Sequence, residues 1–163
     1  MRKTKTLYLV NAALIAALYV VLTFVSAMFG LASGAVQIRL SEALTVLPYF
    51  TAAAVPGVTV GCILANILTG CALWDVVFGS LATLIGALCA RALRKHRFLT
   101  PLPTIISNTL IIPFVLSYVY GVPESIPYLM LTVGAGEIIS CGILGCLLLT
   151  ALEPYRSRLF DSE

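Results

Sequence analysis

Charged residues are scarce in this 163-residue chain, where Asp, Glu, Lys and Arg make up 10% of the sequence and hydrophobic residues 60%. Soluble domains carry about 25% charged residues. The shortage excludes an ordinary soluble fold, because a chain of this length cannot bury so much apolar surface within itself. The composition therefore predicts an integral membrane protein that is surrounded by lipid.

Residues in recognisable catalytic, nucleotide-binding or metal-binding motifs are also missing. The one histidine, His96, lies in a basic stretch, and the sequence has no H-E-x-x-H, G-x-S-x-G or Walker-type glycine motif. Its five cysteines are widely spaced and form no C-x-x-C pair. Basic residues interleaved with aromatics, as in nucleic-acid-binding faces, are missing too. We expect no catalytic residue, metal site, cofactor or nucleic-acid partner, and no ability to hydrolyse ATP.

Long uncharged runs are what the sequence has in abundance. A membrane-spanning helix needs about 20 apolar residues, and Leu7–Met28 is longer than the core of about 7–15 residues in a signal peptide. The uncharged run Ala43–Trp74 would be about 48 Å long as one helix, too long for a hydrocarbon core of about 30 Å. Pro56-Gly57 near its middle predicts a turn at Ala53–Gly57. One domain with six spans follows: 7–28, 41–53, 56–70, 75–91, 102–121 and 126–152.

The distribution of positive charge supports this count, because short loops rich in Lys and Arg stay in the cytoplasm. With six spans, nine of the ten basic residues fall on one side and only Arg39 on the other. With one fewer crossing the split would be three to seven. The nine are Arg2, Lys3, Lys5, Arg91, Arg94, Lys95, Arg97, Arg156 and Arg158. The sequence thus predicts an all-α, multi-pass bundle of the cell membrane with both termini in the cytoplasm.

Polar residues collect in the outward half of this predicted bundle. A charged group within the membrane is expensive and usually serves a site. Glu137 lies deepest, about 15 Å into the last helix, among small neighbours. Arg39 and Glu42 share a helix face at i, i+3 spacing. The candidate ligand-binding residues are Gln37, Arg39, Glu42, Asn66, Trp74, Asp75 and Glu137.

Several of these residues also have a purely structural interpretation. Arg39 and Glu42 can form an interfacial ion pair, and Asp75 can be a helix N-cap. Trp74 suits an aromatic-belt anchor, and Asn66 a hydrogen bond between helices.

The first helix carries small residues four apart, a pattern that lets another helix approach closely. The residues are Ala12, Ala13, Ala16 and Ala17. Packing within the protein and contact with a partner are both open for this strip.

Several segments resemble the QueT family, the queuosine-precursor substrate-binding (S) components of energy-coupling factor (ECF) transporters. The most specific is Gln-x-Arg-x-Ser-Glu at residues 37–42. The others are Asn11–Tyr19, Pro56-Gly57 with Gly61–Asn66, Trp74–Leu84, and Gly136-Glu137.

The resemblance implies a six-helix protein that captures a scarce micronutrient from outside. Its partners would be the transmembrane coupling subunit EcfT, which the alanine strip contacts, and two cytoplasmic ATPases. The implied ligand is a 7-deazaguanine such as preQ1 or queuine. A different vitamin or nucleobase, a structural subunit and a small membrane enzyme are the alternatives.

The chemistry of a 7-deazaguanine suits the candidate residues. The Glu137 carboxylate would accept hydrogen bonds from N1–H and the 2-amino group, and Trp74 would stack on the ring. Asn66 and Gln37 would read the carbonyl edge.

Two further expectations concern charge and water. Glu42 or Asp75 would balance the aminomethyl cation of preQ1. The connection Gly30–Gly34 would act as a lid, and excluding water would strengthen the polar contacts.

Overall fold

The computed structural model describes residues 2–31 and 36–160, and within these ranges every regular element is helical. The α-helices are α1 (Arg2–Met28), α2 (Ala54–Leu68), α3 (Leu73–Ala92), α4 (Leu102–Tyr118), α5 (Ile126–Glu137), α6 (Gly145–Leu152) and α7 (Arg156–Leu159). Short 3₁₀ helices cover Leu40–Tyr49, Arg97–Leu99 and Glu153–Tyr155. A π-helical segment, Ile138–Leu144, joins α5 to α6.

Four helical stretches are long and apolar enough to cross a membrane: Lys5–Met28, Leu73–Ala92, Arg97–Tyr118 and Ile126–Tyr155. The expected all-α bundle with several membrane-spanning helices is confirmed. The predicted spans 41–53 and 56–70 correspond to shorter helices, Leu40–Tyr49 and Ala54–Leu68. Six crossings and cytoplasmic termini therefore stay predictions.

The 3₁₀ helix Leu40–Tyr49, here called the central helix, lies in the middle of the bundle. It contacts α1, α2, α3, the π segment and α6, and its residues from Ser41 to Pro48 are buried. A 3₁₀ helix rises about 2.0 Å per residue, so ten residues extend about 20 Å, against about 15 Å in an α-helix. This geometry lets a short segment reach far through the core.

The break in the long uncharged run lies earlier than the predicted turn at Ala53–Gly57. The chain leaves the central helix at Tyr49, and α2 begins at Ala54. Pro56 and Gly57 are inside the first turn of α2, where a proline needs no hydrogen-bonded N–H and is tolerated. The expectation that Pro56-Gly57 breaks the helix was therefore wrong.

Gly57 and Gly61 instead bring α2 close to α1. A Cβ on Gly57 would lie 3.0 Å from the Ala12 carbonyl oxygen. A Cβ on Gly61 would lie 2.7 Å from the Tyr19 Cβ and 3.1 Å from the Ala16 Cα. Small residues on both helices thus allow the backbones to approach closely.

This contact divides the alanine strip. Ala16 is buried against α2, and Ala12 is half-buried on the same side. Ala13 and Ala17 are exposed on the other face of α1. Of the four alanines expected to contact a partner, only Ala13 and Ala17 are therefore still candidates.

Candidate functional site

A polar cavity lies beside the first turn of the central helix, where α2, α3, α4 and α5 converge. It is lined by Gln37, Arg39, Glu42, Cys62, Gly79, Thr83, Asn108, Ile112, Val133 and Glu137. Four of the predicted site residues are thus brought together: Gln37, Arg39, Glu42 and Glu137. They come from segments about 100 residues apart in the sequence.

Glu42 is held from one side by α1. The Tyr19 hydroxyl donates a hydrogen bond of 2.5 Å to Glu42 Oε1, and both side chains are 2% exposed. Glu42 Oε2 is buried and has no hydrogen-bond partner among the described residues. Tyr19 therefore fixes one carboxylate oxygen and leaves the other available.

Glu137 is the last residue of α5 and directly precedes the π segment. Its side chain is 8% exposed, and its Oε2 also has no partner within the described part of the chain. The Asn108 side chain, which is also buried, lines the same cavity as both carboxylates. π-Helical turns are often found at functional sites, and here one follows the deepest carboxylate.

The start of the central helix is held by two serines. The Arg39 N–H donates to Ser140 Oγ at 3.0 Å, and the Leu40 N–H donates to Ser26 Oγ at 2.8 Å. The first N–H groups of a helix have no partner within it. These serines, from the π segment and from α1, supply that partner and orient the segment that carries Arg39.

Arg39 is half-buried and lines the same cavity as Glu42 and Glu137. Among the described side chains, the one direct ion pair is between Arg156 and Glu153, at 3.6 Å, and it does not involve Arg39. The alternative of an Arg39–Glu42 ion pair is therefore not found. The cavity instead combines two carboxylates with one guanidinium.

Gln37 crosses α5 at Gly136. A Cβ on Gly136 would overlap the Gln37 carbonyl oxygen. Glycine at this position is what lets the segment before the central helix lie directly on α5, next to Glu137.

Asn66 and Asp75 border the cavity rather than line it. Both side chains are buried, and they meet over Gly79. A Cβ on Gly79 would lie 3.2 Å from Asn66 Nδ2 and 3.5 Å from Asp75 Oδ1. Asn66 Nδ2 is also 3.6 Å from Cys62 Sγ, a cavity residue.

Asp75 is tied to the connection after α4. Its Oδ2 accepts a hydrogen bond of 3.0 Å from the Tyr120 hydroxyl, which in turn accepts one of 3.0 Å from the Ala72 N–H. Partial burial, with the neighbouring Asp75 carboxylate, raises the pKa of Tyr120 to about 12, so the hydroxyl keeps its proton. The N-cap of α3 is Ala72, so the alternative that Asp75 is an N-cap was wrong.

Trp74 lies outside the cavity. Its side chain is 58% exposed and stacks on Phe78 with ring centroids 5.9 Å apart. Trp74 is thus not among the residues that line the polar cavity, and its exposure suits the aromatic-belt alternative. The predicted lid, Gly30–Gly34, lies mostly outside the described residues.

Sequence reasoning missed Tyr19, Asn108, Thr83 and Cys62. Asn108 had a usable signal, because an amide within an apolar span needs a partner there. Tyr19 had none, since a tyrosine in a membrane helix is common. Thr83 Oγ1 lies 3.5 Å from Cys62 Sγ, and only the packing of α2 on α3 brings these two together.

In this conformation the cavity is nearly closed. Its free volume is about 20 Å³, room for about one water molecule. A ligand of the size of a nucleobase must widen it.

Buried carboxylates around a cavity in a multi-pass helical bundle are typical of membrane transport proteins. Residues 9–154 match the family described as QueT transporter, and the chain belongs to that family. It is also 38% identical over 86 residues to the queuosine precursor transporter QueT of Lactococcus lactis subsp. cremoris (strain MG1363). That match covers 52% of this chain and 50% of the relative, so the chain spans about half the length of the relative. No solved structure matches the chain.

Proposed function

We propose that this protein is the substrate-binding S component of an ECF-type transporter and captures a queuosine precursor from the extracellular side. Membership of the QueT transporter family and the name of the relative support the ligand class. The observation that carries the proposal is the pair of buried carboxylates, Glu42 and Glu137, which line one cavity and each have an oxygen without a hydrogen-bond partner among the described residues.

The two carboxylates suit a 7-deazaguanine. The N1–H and 2-amino groups of its guanine-like edge are parallel donors, and a carboxylate accepts both. Glu137 is the better placed of the two, because one oxygen of Glu42 already accepts the hydrogen bond from Tyr19. The amides of Asn108 and Gln37 can donate to the carbonyl edge of the same ring.

The charges of the cavity favour a ligand that carries a cation. Glu42 and Glu137 face a single guanidinium, that of Arg39, and Asp75 borders them. Burying unpaired charge is strongly unfavourable. The aminomethyl group of preQ1 would supply the missing positive charge.

The remaining parts of the proposal concern partners. Ala13 and Ala17 leave a flat, exposed strip on α1 that suits close approach by a helix of EcfT. The chain has no nucleotide-binding motif, so two ATPase subunits would provide ATP hydrolysis. On this proposal the protein itself catalyses no reaction.

Direct titration tests the ligand. The purified protein is titrated with preQ1, preQ0 and queuine, and any copurifying ligand is identified by mass. We expect binding of at least one precursor at micromolar or lower concentration. Failure of all three defeats the assignment, and tight binding of thiamine, riboflavin or biotin would indicate a different cargo. No ligand-induced thermal shift with any of them would favour a structural subunit.

A further inference from the structure

A second cavity lies next to the polar one, and here it is called the vestibule. Its volume is about 230 Å³, and it is lined by Gln37, Leu116, Val122, Glu124, Tyr128, Leu129, Thr132 and Val133. Gln37 and Val133 also line the polar cavity. These two residues are therefore the partition between the two spaces.

One wall of the vestibule is the connection between α4 and α5. Gly121 has a φ of +64°, a left-handed conformation that glycine adopts readily, and it reverses the chain after α4. The Val122 N–H then donates to the Leu116 carbonyl oxygen at 3.1 Å. This hydrogen bond fixes Val122 beside Leu116 and places Glu124 at the rim, where it is exposed.

The other wall is one stripe of α5. Tyr128 and Thr132 are four residues apart and so lie on the same helix face. Glu137 is about 14 Å further along the helix axis than Tyr128, and it shares its face of α5 with Val133, which lies four residues before it and lines both cavities. Gln37 crosses α5 at Gly136, between these two levels. Val133 and Gln37 thus lie between the vestibule and the deepest carboxylate.

The side chains of the vestibule match a planar cation. Tyr128 is about half exposed and offers a ring face, Glu124 offers a negative charge, and Gln37 and Thr132 offer hydrogen bonds. Leu116 and Leu129 supply apolar contact. With 230 Å³ against 20 Å³, the vestibule has room for a ring where the polar cavity has none.

We propose that the vestibule is a separate outer binding site, where a planar cationic heterocycle docks before it passes Gln37 and Val133 to reach Glu137. This inference rests on the proposed function, since both sites take the same ligand. Tyr128 stacks on the ring, and Glu124 attracts the cation from solution. Separating capture from tight binding makes Glu124 and Tyr128 determinants of the association rate, while Glu137 determines how long the ligand stays.

The test is stopped-flow binding of preQ1 to the purified protein at low and high salt. Glu124→Gln is expected to lower the association rate constant at least about threefold at low salt and to flatten its salt dependence, because an attracting charge is lost. Tyr128→Leu is expected to slow association at both salt concentrations, and Tyr128→Phe, which keeps the ring, to leave it unchanged. Dissociation rates stay at the wild-type value in Glu124→Gln and Tyr128→Phe. In Tyr128→Leu dissociation slows by the same factor as association, because the ligand leaves by the same route and its contacts at Glu137 are unchanged. Glu153→Gln, the same change in the 3₁₀ helix that follows α6, is the control.

The outcomes separate the two proposals. No binding of preQ1 to the wild-type protein overturns both. Binding with association rates unaffected by Glu124→Gln and Tyr128→Leu overturns the vestibule alone. Thermal unfolding of the ligand-free variants shows that they fold, and should Tyr128→Leu fail to fold, Glu124→Gln and its salt dependence decide.

Discussion

The two ends of the central helix differ in how completely their side chains are satisfied. At the first end Ser41 Oγ and Glu42 Oε2 are buried without a hydrogen-bond partner among the described residues. At the other end Val46 and Leu47 are buried in the hydrophobic core, together with Leu149 of α6. The same ten-residue helix thus has an apolar end that is closely packed and a polar end with buried groups that lack a hydrogen-bond partner among the described residues.

Because of this difference, the stability of the fold and the binding of ligand are expected to depend on opposite ends of the central helix. A buried polar group without a partner costs about 1–3 kcal/mol, so the polar end weakens the ligand-free fold. The apolar end stabilises it through close packing, which is the main source of helix association in a membrane. Substitutions at the two ends are therefore expected to act on different measurements.

The largest effect is expected at the apolar end. Leu149→Ala should lower the free energy of unfolding by about 2–5 kcal/mol, because Leu149 is fully buried and its removal leaves a cavity. Denaturation in detergent measures it. Leu147→Ala is the matched control on the same helix, where the side chain is 61% exposed. Equal losses at both positions would contradict the described packing of α6.

An intermediate effect is expected where Gln37 crosses α5. Gly136→Ala forces a Cβ against the Gln37 carbonyl oxygen, and overpacking of this kind costs about 1–3 kcal/mol. Both thermal stability and preQ1 affinity should fall, since the segment that carries Gln37 and Arg39 must move. Gly142→Ala is the control, because its Cβ would be 3.6 Å from the nearest atom. Unchanged affinity in Gly136→Ala would show that this crossing does not position the site.

A smaller effect, confined to binding, is expected at the polar end. Glu137→Gln should weaken preQ1 binding at least about tenfold, about 1.4 kcal/mol, because one ligand donor loses its acceptor. Ligand-free stability should not decrease, since a neutral amide replaces a buried carboxylate with an unpartnered oxygen. Calorimetric titration and thermal unfolding measure the two quantities. Glu153→Gln is the control, and an affinity equal to wild type would remove Glu137 from the site.

The smallest effect on the fold is expected on the exposed face of α1. Ala17→Trp should change the free energy of unfolding by less than about 0.5 kcal/mol and leave preQ1 binding intact, but should prevent copurification with EcfT. Ala16→Trp is the comparison, because Ala16 packs against Gly61 and a large side chain there would separate α1 from α2. Copurification of Ala17→Trp at the wild-type level would exclude this strip as the contact.

The helical membrane bundle and its buried charged residues could be predicted from the sequence, because the free-energy cost of placing a side chain in lipid depends on its type. The uncharged runs predicted the helical bundle, and the scarcity of charge singled out Arg39, Glu42 and Glu137. The same argument could not predict where the run from Ala43 to Trp74 is broken, since a proline breaks a helix or begins one according to its place in the first turn.

The sequence by itself determined which residues are polar enough to need partners within the membrane. Only the tertiary structure decided which of two sequence neighbours faces inward, because successive residues on a helix point about 100° apart and the packing of other helices selects one of them. In this way Asp75 is buried while Trp74 is exposed, and Ala16 is covered while Ala17 is free. The partner of Glu42, Tyr19, is likewise set by the close contact of α1 with the bundle, which no local pattern in either segment contains.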